Sequence, residues 1–129
     1  IFAQGWEPKA REIKAVVCLV HGLGEHSSRY AHVAEAFCRA GIALFTADTR
    51  GHGRSGGIRG HFPSIEAVMK DIDLLLAQAR ERYPGLPIVL YGHSLGGVLV
   101  LYYALNRKPD LKGVIATSPG LRTALEKYL

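Results

Sequence analysis

The stretch Leu90-Tyr91-Gly92-His93-Ser94-Leu95-Gly96-Gly97-Val98-Leu99 sets one hydroxyl and one imidazole between two apolar runs. A buried hydroxyl needs a hydrogen-bond partner, so the interruption has to be explained. Gly92-His93-Ser94-Leu95-Gly96 fits the pattern G-x-S-x-G. With 15 Gly in 129 residues, the bare pattern would arise by chance roughly 0.1 times. Its surroundings carry more weight, because a buried strand runs into it and a buried helix leaves it. A sharp strand-to-helix turn holds the serine in a strained backbone conformation that side chains at 92 and 96 would obstruct. It also places Ser94 at a helix N-terminus, where free N–H groups and the helix dipole can stabilise an oxyanion. The bland alternative is a tight turn with an incidental serine.

Working outward, four short runs are apolar on consecutive residues: 15–20 (AVVCLV), 42–47 (IALFTA), 88–91 (IVLY) and 114–117 (VIAT). Such runs read as strands of a parallel sheet buried on both faces. Segments with helical spacing lie between them. Tyr30, Val33, Ala34 and Phe37 form one, stopped by Gly41; Ile65, Val68, Met69, Ile72, Leu75, Leu76 and Ala79 form the next, opened by Ser64. The third, 95–106, is apolar nearly all round and is expected to be the most buried. Strand and helix alternate, which predicts one α/β domain with helices on both faces of a mostly parallel sheet. Residues 1–6 are expected as an extra edge strand, and the strand at Val114 beside the one at Ile88.

Composition narrows the function classes. A hydrophobic content of 48% is ample for a core and argues against disorder. The net charge of +5 comes from dispersed cations such as Lys14, Arg39, Lys70 and Lys127. Without a basic run or aromatic interleaving, no nucleic-acid partner is expected. Cys18 lies in an apolar run and Cys38 on a helix face, so they read as reduced packing residues and the cytoplasm as the default compartment. No apolar run approaches the roughly 20 residues of a membrane span, so at most peripheral membrane contact is expected. The chain opens on Ile, and its only methionine is Met69, which suggests part of something longer.

Two more glycine-rich stretches follow strands. His21-Gly22-Leu23-Gly24 could face the Ser94 turn across neighbouring strand ends and offer the Leu23 N–H as an oxyanion donor beside that of Leu95. His21 itself reads as a hydrogen-bonded residue that orders the loop. Gly51-His52-Gly53-Arg54-Ser55-Gly56 matches G-x-G-x-x-G, but a dinucleotide site needs a helix starting on those glycines, and 58–63 intervenes. Asp48 is expected to tie that loop down and His52 to be a loop residue.

Together, "HGLGEHSSRY" from His21, "DTRGHGRSGG" from Asp48 and "YPGLPIVLYGHSLGG" from Tyr83 resemble the signatures of the serine α/β-hydrolases, within them the monoacylglycerol lipase and lysophospholipase group. The resemblance spans nearly the whole chain. It implies an α/β-hydrolase fold, with residues 1–129 as the N-terminal part of a single catalytic domain, truncated before the cap and the last strands. It implies Ser94 as nucleophile, the Leu23 and Leu95 amides as oxyanion hole, and Glu25 and Arg29 near the pocket for the alcohol end of a lipid ester. A surface ion pair is the competing reading for Glu25 and Arg29. The acid and histidine of such a triad follow later strands, beyond Leu129, and the cap would begin near 121–129. His93 cannot readily curl round to serve Ser94 as base and reads as a spacer or packing residue. No metal or organic cofactor is implied. The alternatives are a lysophospholipase, peptidase or acyltransferase on the same fold, or a non-catalytic hydrolase-like binding module.

Overall fold

A computed structural model of the protein describes residues 1–9 and 11–122. The chain runs β1 (Ala3–Trp6), β2 (Ala15–Val20), a 3₁₀ turn (Ser27–Tyr30), α1 (Ala31–Arg39), β3 (Ile42–Ala47), α2 (Ile65–Arg82), β4 (Ile88–His93), α3 (Leu95–Arg107) and β5 (Gly113–Thr117). The strands form one sheet in the order β1-β3-β2-β4-β5. β3, β2, β4 and β5 are parallel, and β1 joins the β3 edge antiparallel. The expected parallel sheet, the neighbouring β4 and β5 and the extra edge strand are all present. All four parallel strands therefore end on one edge, delivering His21, Asp48, Ser94 and Ser118 there.

Local chemistry sets the helix limits. Gly41 stops α1 by taking φ 80°, which L-residues resist. The Ser64 side chain caps α2 by accepting the Ala67 N–H at 3.1 Å, and Arg80 and Arg82 lie in the last turn, where cations suit the dipole. Tyr30, read from its spacing as helical, ends the 3₁₀ turn that leads into α1.

Strand alternation sorts the core into two layers. Val16, Cys18, Val20, Ala43, Phe45, Ile88 and Leu90 face α2 and α3, packing on Met69, Ile72, Leu76, Leu99 and Val100. Val17, Leu19 and Leu44 face the other way, against Tyr30 and Ala34, with Val33 and Phe37 of α1 beside them. Helices thus cover both faces. As expected, α3 is the best covered helix: of its thirteen residues only Tyr102, Leu105, Asn106 and Arg107 are exposed. Burial of all four central strands on both faces does not hold. β2 and β3 are buried along their length, whereas β4 alternates and β5 has no buried residue, with Ile115 exposed. The reason is geometric: α1 lies over β2 and β3, and no other described helix packs on that face. The cap expected near 121–129 lies mostly outside the described residues.

Candidate active site

Ser94 joins β4 to α3 with φ 54° and ψ −119°, a region that costs a non-glycine residue about 1–3 kcal/mol. The glycines around it are required by contact. A Cβ at Gly92 would lie 2.1 Å from the Gly96 carbonyl oxygen, and one at Gly96 would lie 2.0 Å from that of Val20. The strained serine is held from both sides. Its N–H donates to the Thr117 carbonyl of β5 at 2.9 Å, while its carbonyl accepts the Val98 N–H at 3.2 Å. Ser94 itself is exposed to solvent, and no described residue accepts the N–H of Leu95, which opens α3.

The His21 loop lies against this turn. A Cβ on Gly22 would sit 3.2 Å from Ser94 Cβ and 3.3 Å from the His93 carbonyl oxygen, so only glycine lets the backbones approach so closely. Leu23 follows, 63% exposed, with no described acceptor for its N–H. His21 is buried, and both ring nitrogens are engaged. The Thr49 N–H donates to Nε2 at 3.0 Å, so the ring proton sits on Nδ1, which donates to the Gly22 carbonyl at 2.7 Å. Burial lowers its pKa and keeps the ring neutral. This is the loop-ordering role read from the sequence.

Asp48 ties two loops together from the end of β3. Its Oδ1 accepts the Ser27 N–H at 2.7 Å and the Ser27 hydroxyl at 2.6 Å, and its Oδ2 accepts the Arg54 N–H at 2.7 Å. Burial pushes its carboxyl up, but these hydrogen bonds outweigh that and hold it below the usual range. The glycine-rich segment after it runs as turns, and the next helix opens only at Ile65. That excludes the dinucleotide geometry. His52 is buried within this loop, its ring centroid 5.3 Å from that of His21.

Glu25 and Arg29 do form an ion pair, at 3.8 Å, with the Arg29 side chain 60% exposed. Such a pair stabilises little. The carboxylate has a second task that its spacing did not reveal: Oε2 accepts the Gly22 N–H at 2.8 Å and the Tyr30 hydroxyl at 2.9 Å. Burial raises the Glu25 pKa, but these two bonds together with the nearby His93 and Arg29 more than offset it and keep the carboxyl below its usual range. Glu25, Arg29, Tyr30, Tyr91 and His93, with His32 and Val33, line a cavity of about 270 Å³. Gly22 separates Glu25 from Ser94, and its Cβ position is 2.7 Å from Glu25 Oε2. The cavity thus adjoins the serine turn. His93 turns its Nδ1 to the Thr117 hydroxyl at 2.9 Å, and no described histidine is hydrogen-bonded to Ser94 Oγ. A larger groove of about 590 Å³ lies by Trp6, Arg11 and Cys38. It contains none of these groups, so chemistry rather than volume selects the Ser94 edge.

Sequence reasoning missed Ser27, Tyr30 and Thr117. Ser27 and Thr117 act across 21 and 24 positions, brought in by the sheet order, and Tyr30 across 5, brought back by the 3₁₀ turn. Among the described residues no group of three or more His, Cys, Asp or Glu side chains could hold a metal ion, and no helix is long and apolar enough to cross a membrane.

Comparison with known proteins agrees with this geometry. A protein from Dictyostelium discoideum named an uncharacterized abhydrolase domain-containing protein is 46% identical over 94% of this chain and 13% of its own length. The monoacylglycerol lipase of Mycolicibacterium smegmatis is 36% identical over 90% of this chain and 41% of its own. The crystal structure of Paleococcus ferrophilus monoacylglycerol lipase superposes with TM-score 0.80 at 39% identity, covering 95% of this chain and 44% of that one. The chain spans about two fifths of the length of these two lipases. The sequence model of the hydrolase family described as serine aminopeptidase, S33, matches residues 11–128. With that match over most of its length, and with the strand-to-helix serine turn at the C-terminal sheet edge, the chain belongs to this α/β-hydrolase family.

Proposed function

We propose that this chain carries the nucleophile and oxyanion hole of a serine carboxylic ester hydrolase, acting on monoacylglycerol-like esters through an acyl-serine intermediate. One observation carries the reading: Ser94 is held at φ 54° between β4 and α3, exposed, with the Gly22-Leu23 backbone packed against it. Such a conformation is maintained against its own strain only where surrounding structure imposes it.

In the proposed cycle Ser94 Oγ attacks the ester carbonyl, and the Leu23 and Leu95 N–H groups receive the negative charge that develops on its oxygen. Each is worth about 3 kcal/mol in the transition state. The alcohol leaves, and water then cleaves the acyl-enzyme. Glu25 and Arg29 lie where the departing alcohol would sit, in the cavity next to Gly22. The proton shuttle is a histidine paired with an acid, and we place both outside residues 1–129. Supporting this, His21 has both nitrogens occupied and His93 faces Thr117, so neither is arranged as base for Ser94. The 129 residues alone are then nearly inert, since losing the histidine of a serine triad costs on the order of 10⁶ in turnover. The substrate is a small-molecule lipid ester, supported by the names of the two lipases.

The test is labelling with a fluorophosphonate probe, followed by assays on a short-chain aryl ester and a monoacylglycerol, in the full-length protein and its Ser94→Ala variant. Labelling and turnover that vanish with Ser94 support the proposal. No labelling at Ser94 would leave the non-catalytic binding module. Cleavage of amino-terminal peptides or lysophospholipids in preference to monoacylglycerols would move the reading to a peptidase, the activity in the family description, or to a lysophospholipase.

A further inference from the structure

Thr117, the last residue of β5, faces His93 of β4 in the strand register. Its carbonyl accepts the Ser94 N–H, and its Oγ1 lies 2.9 Å from His93 Nδ1 and 3.2 Å from the Tyr91 hydroxyl. Tyr91 and His93 are alternate residues of one strand, so they share a face, and both line the cavity with Glu25 and Arg29. One hydroxyl therefore fixes two walls of that cavity.

A threonine hydroxyl has a single proton to give. With two lone pairs to accept, it stands either as the middle link of a chain from Tyr91 through Thr117 to His93, or as acceptor of the His93 Nδ1–H, as in the reverse chain and in an arrangement that accepts from both neighbours. The surroundings choose the direction. Glu25 is ionised and electrostatically coupled to His93. In either arrangement that accepts the Nδ1–H, the reverse chain or the one accepting from both neighbours, the imidazole would turn an unprotonated Nε2, with its lone pair, toward a cavity lined by that carboxylate. In the forward chain Tyr91 O–H donates to Thr117 Oγ1, the Thr117 hydroxyl donates to His93 Nδ1, and the ring proton resides on Nε2. Repulsion becomes attraction.

We infer that Thr117 is a positioning residue: its hydroxyl holds His93 as the Nε2–H tautomer and thereby gives the cavity beside Ser94 a fixed donor for the alcohol part of the substrate. A donor from His93, the Arg29 guanidinium and Glu25 Oε1, which at 3.8 Å from Arg29 is ion-paired but outside hydrogen-bond distance, then present the two donors and one acceptor that suit a polyol, where a simple alkoxy group offers no hydroxyl to bind. Only the last step, what the donor meets, rests on the ester-hydrolase reading. The tautomer does not.

Two readouts in the full-length protein separate these parts. The first is ¹⁵N NMR of the His93 ring, which distinguishes the tautomers directly. The native protein and Thr117→Ser should show the proton on Nε2, and Thr117→Val, isosteric without the hydroxyl, should show a mixture or the other tautomer. The second is kcat/KM for a glyceryl ester relative to the methyl ester of the same acid. That ratio should fall about tenfold in Thr117→Val, through KM on the glyceryl ester, and recover in Thr117→Ser. A native His93 protonated on Nδ1, or a tautomer unchanged in Thr117→Val, overturns the inference. So does a loss shared equally by both esters, which would show that Thr117 serves only the elbow. If neither ester is hydrolysed by the native protein, the functional proposal fails while the NMR outcome still decides the tautomer.

Discussion

Replacing Asp48 by Asn tests how the Ser94 edge of the sheet is held. The carboxylate accepts three hydrogen bonds, two from Ser27 and one from the Arg54 N–H, all at 2.6–2.7 Å. An amide of the same shape has one acceptor oxygen. If that oxygen stays with Ser27, the NH₂ group meets the Arg54 N–H donor to donor. One charge-assisted bond of about 1.5–3 kcal/mol is then lost, and the two to Ser27 weaken toward the neutral value near 1 kcal/mol. Relief of the buried charge returns about 1–2 kcal/mol, leaving a net loss of about 2–4 kcal/mol. The segment has no room to adjust, since a Cβ at Gly53 would lie 2.2 Å from Asp48 Oδ2. Urea unfolding followed by Trp6 fluorescence measures the difference. Its pH dependence is the sharper check. The folded pKa of Asp48 is depressed, so its contribution is fully present above the unfolded value, near 3.9, and is lost as pH falls through the lower folded value. The gap between native and Asp48→Asn proteins should stay flat from about pH 7 to pH 5 and shrink below about pH 4. Effects of Glu7 and Glu25, whose pKa values are also lowered, occur in both proteins and cancel. A gap under about 1 kcal/mol, or one that widens in acid, would refute the reasoning.

Gly96→Ala should cost more than about 3 kcal/mol or prevent folding, because its Cβ would lie 2.0 Å from the Val20 carbonyl oxygen. Gly97→Ala meets its nearest atoms at 3.3 Å and should stay within about 1 kcal/mol of native; equal costs in urea unfolding would undo the contact argument. Ser94→Gly should stabilise the fold by about 1 kcal/mol, releasing the strain at φ 54° less the entropy glycine adds to the unfolded chain, whereas Ser94→Ala should not. Calorimetry decides between them. Under native conditions iodoacetamide should modify Cys38, half-buried, well before Cys18, which is fully buried with a pKa pushed up to about 12; mass spectrometry showing the reverse order would mean that the β2 core opens.

What the sequence discloses about this fold depends on how local the cause is. The serine turn was legible because its requirement is met within five residues: glycine at 92 and 96 permits the backbone that Ser94 needs. Gly41 and Ser64 were legible for the same reason, each ending or starting a helix through its own φ or its own hydroxyl. The failure at β4 and β5 has the opposite origin. An apolar run such as 114–117 states only that the residues tolerate burial; whether a helix covers them depends on where α1 lands, and α1 lands over β2 and β3. The direction of β1 was silent in the same way, since an antiparallel edge strand and a parallel one have the same composition. The site divides along this line. The proposed nucleophile and oxyanion backbones lie on glycine-marked turns that the spacing shows, while the role of nucleophile came from the family resemblance. The side chains that fix those turns are ordinary residues: sheet register brings Thr117 to His93, the pairing of β2 with β3 brings the Ser27 turn to Asp48, and the 3₁₀ turn folds Tyr30 back onto Glu25. Register is a property of the assembled sheet. A polar residue at the C-terminal end of a strand next to the serine strand is therefore the one local sign available for a supporting group, and Thr117 bears it.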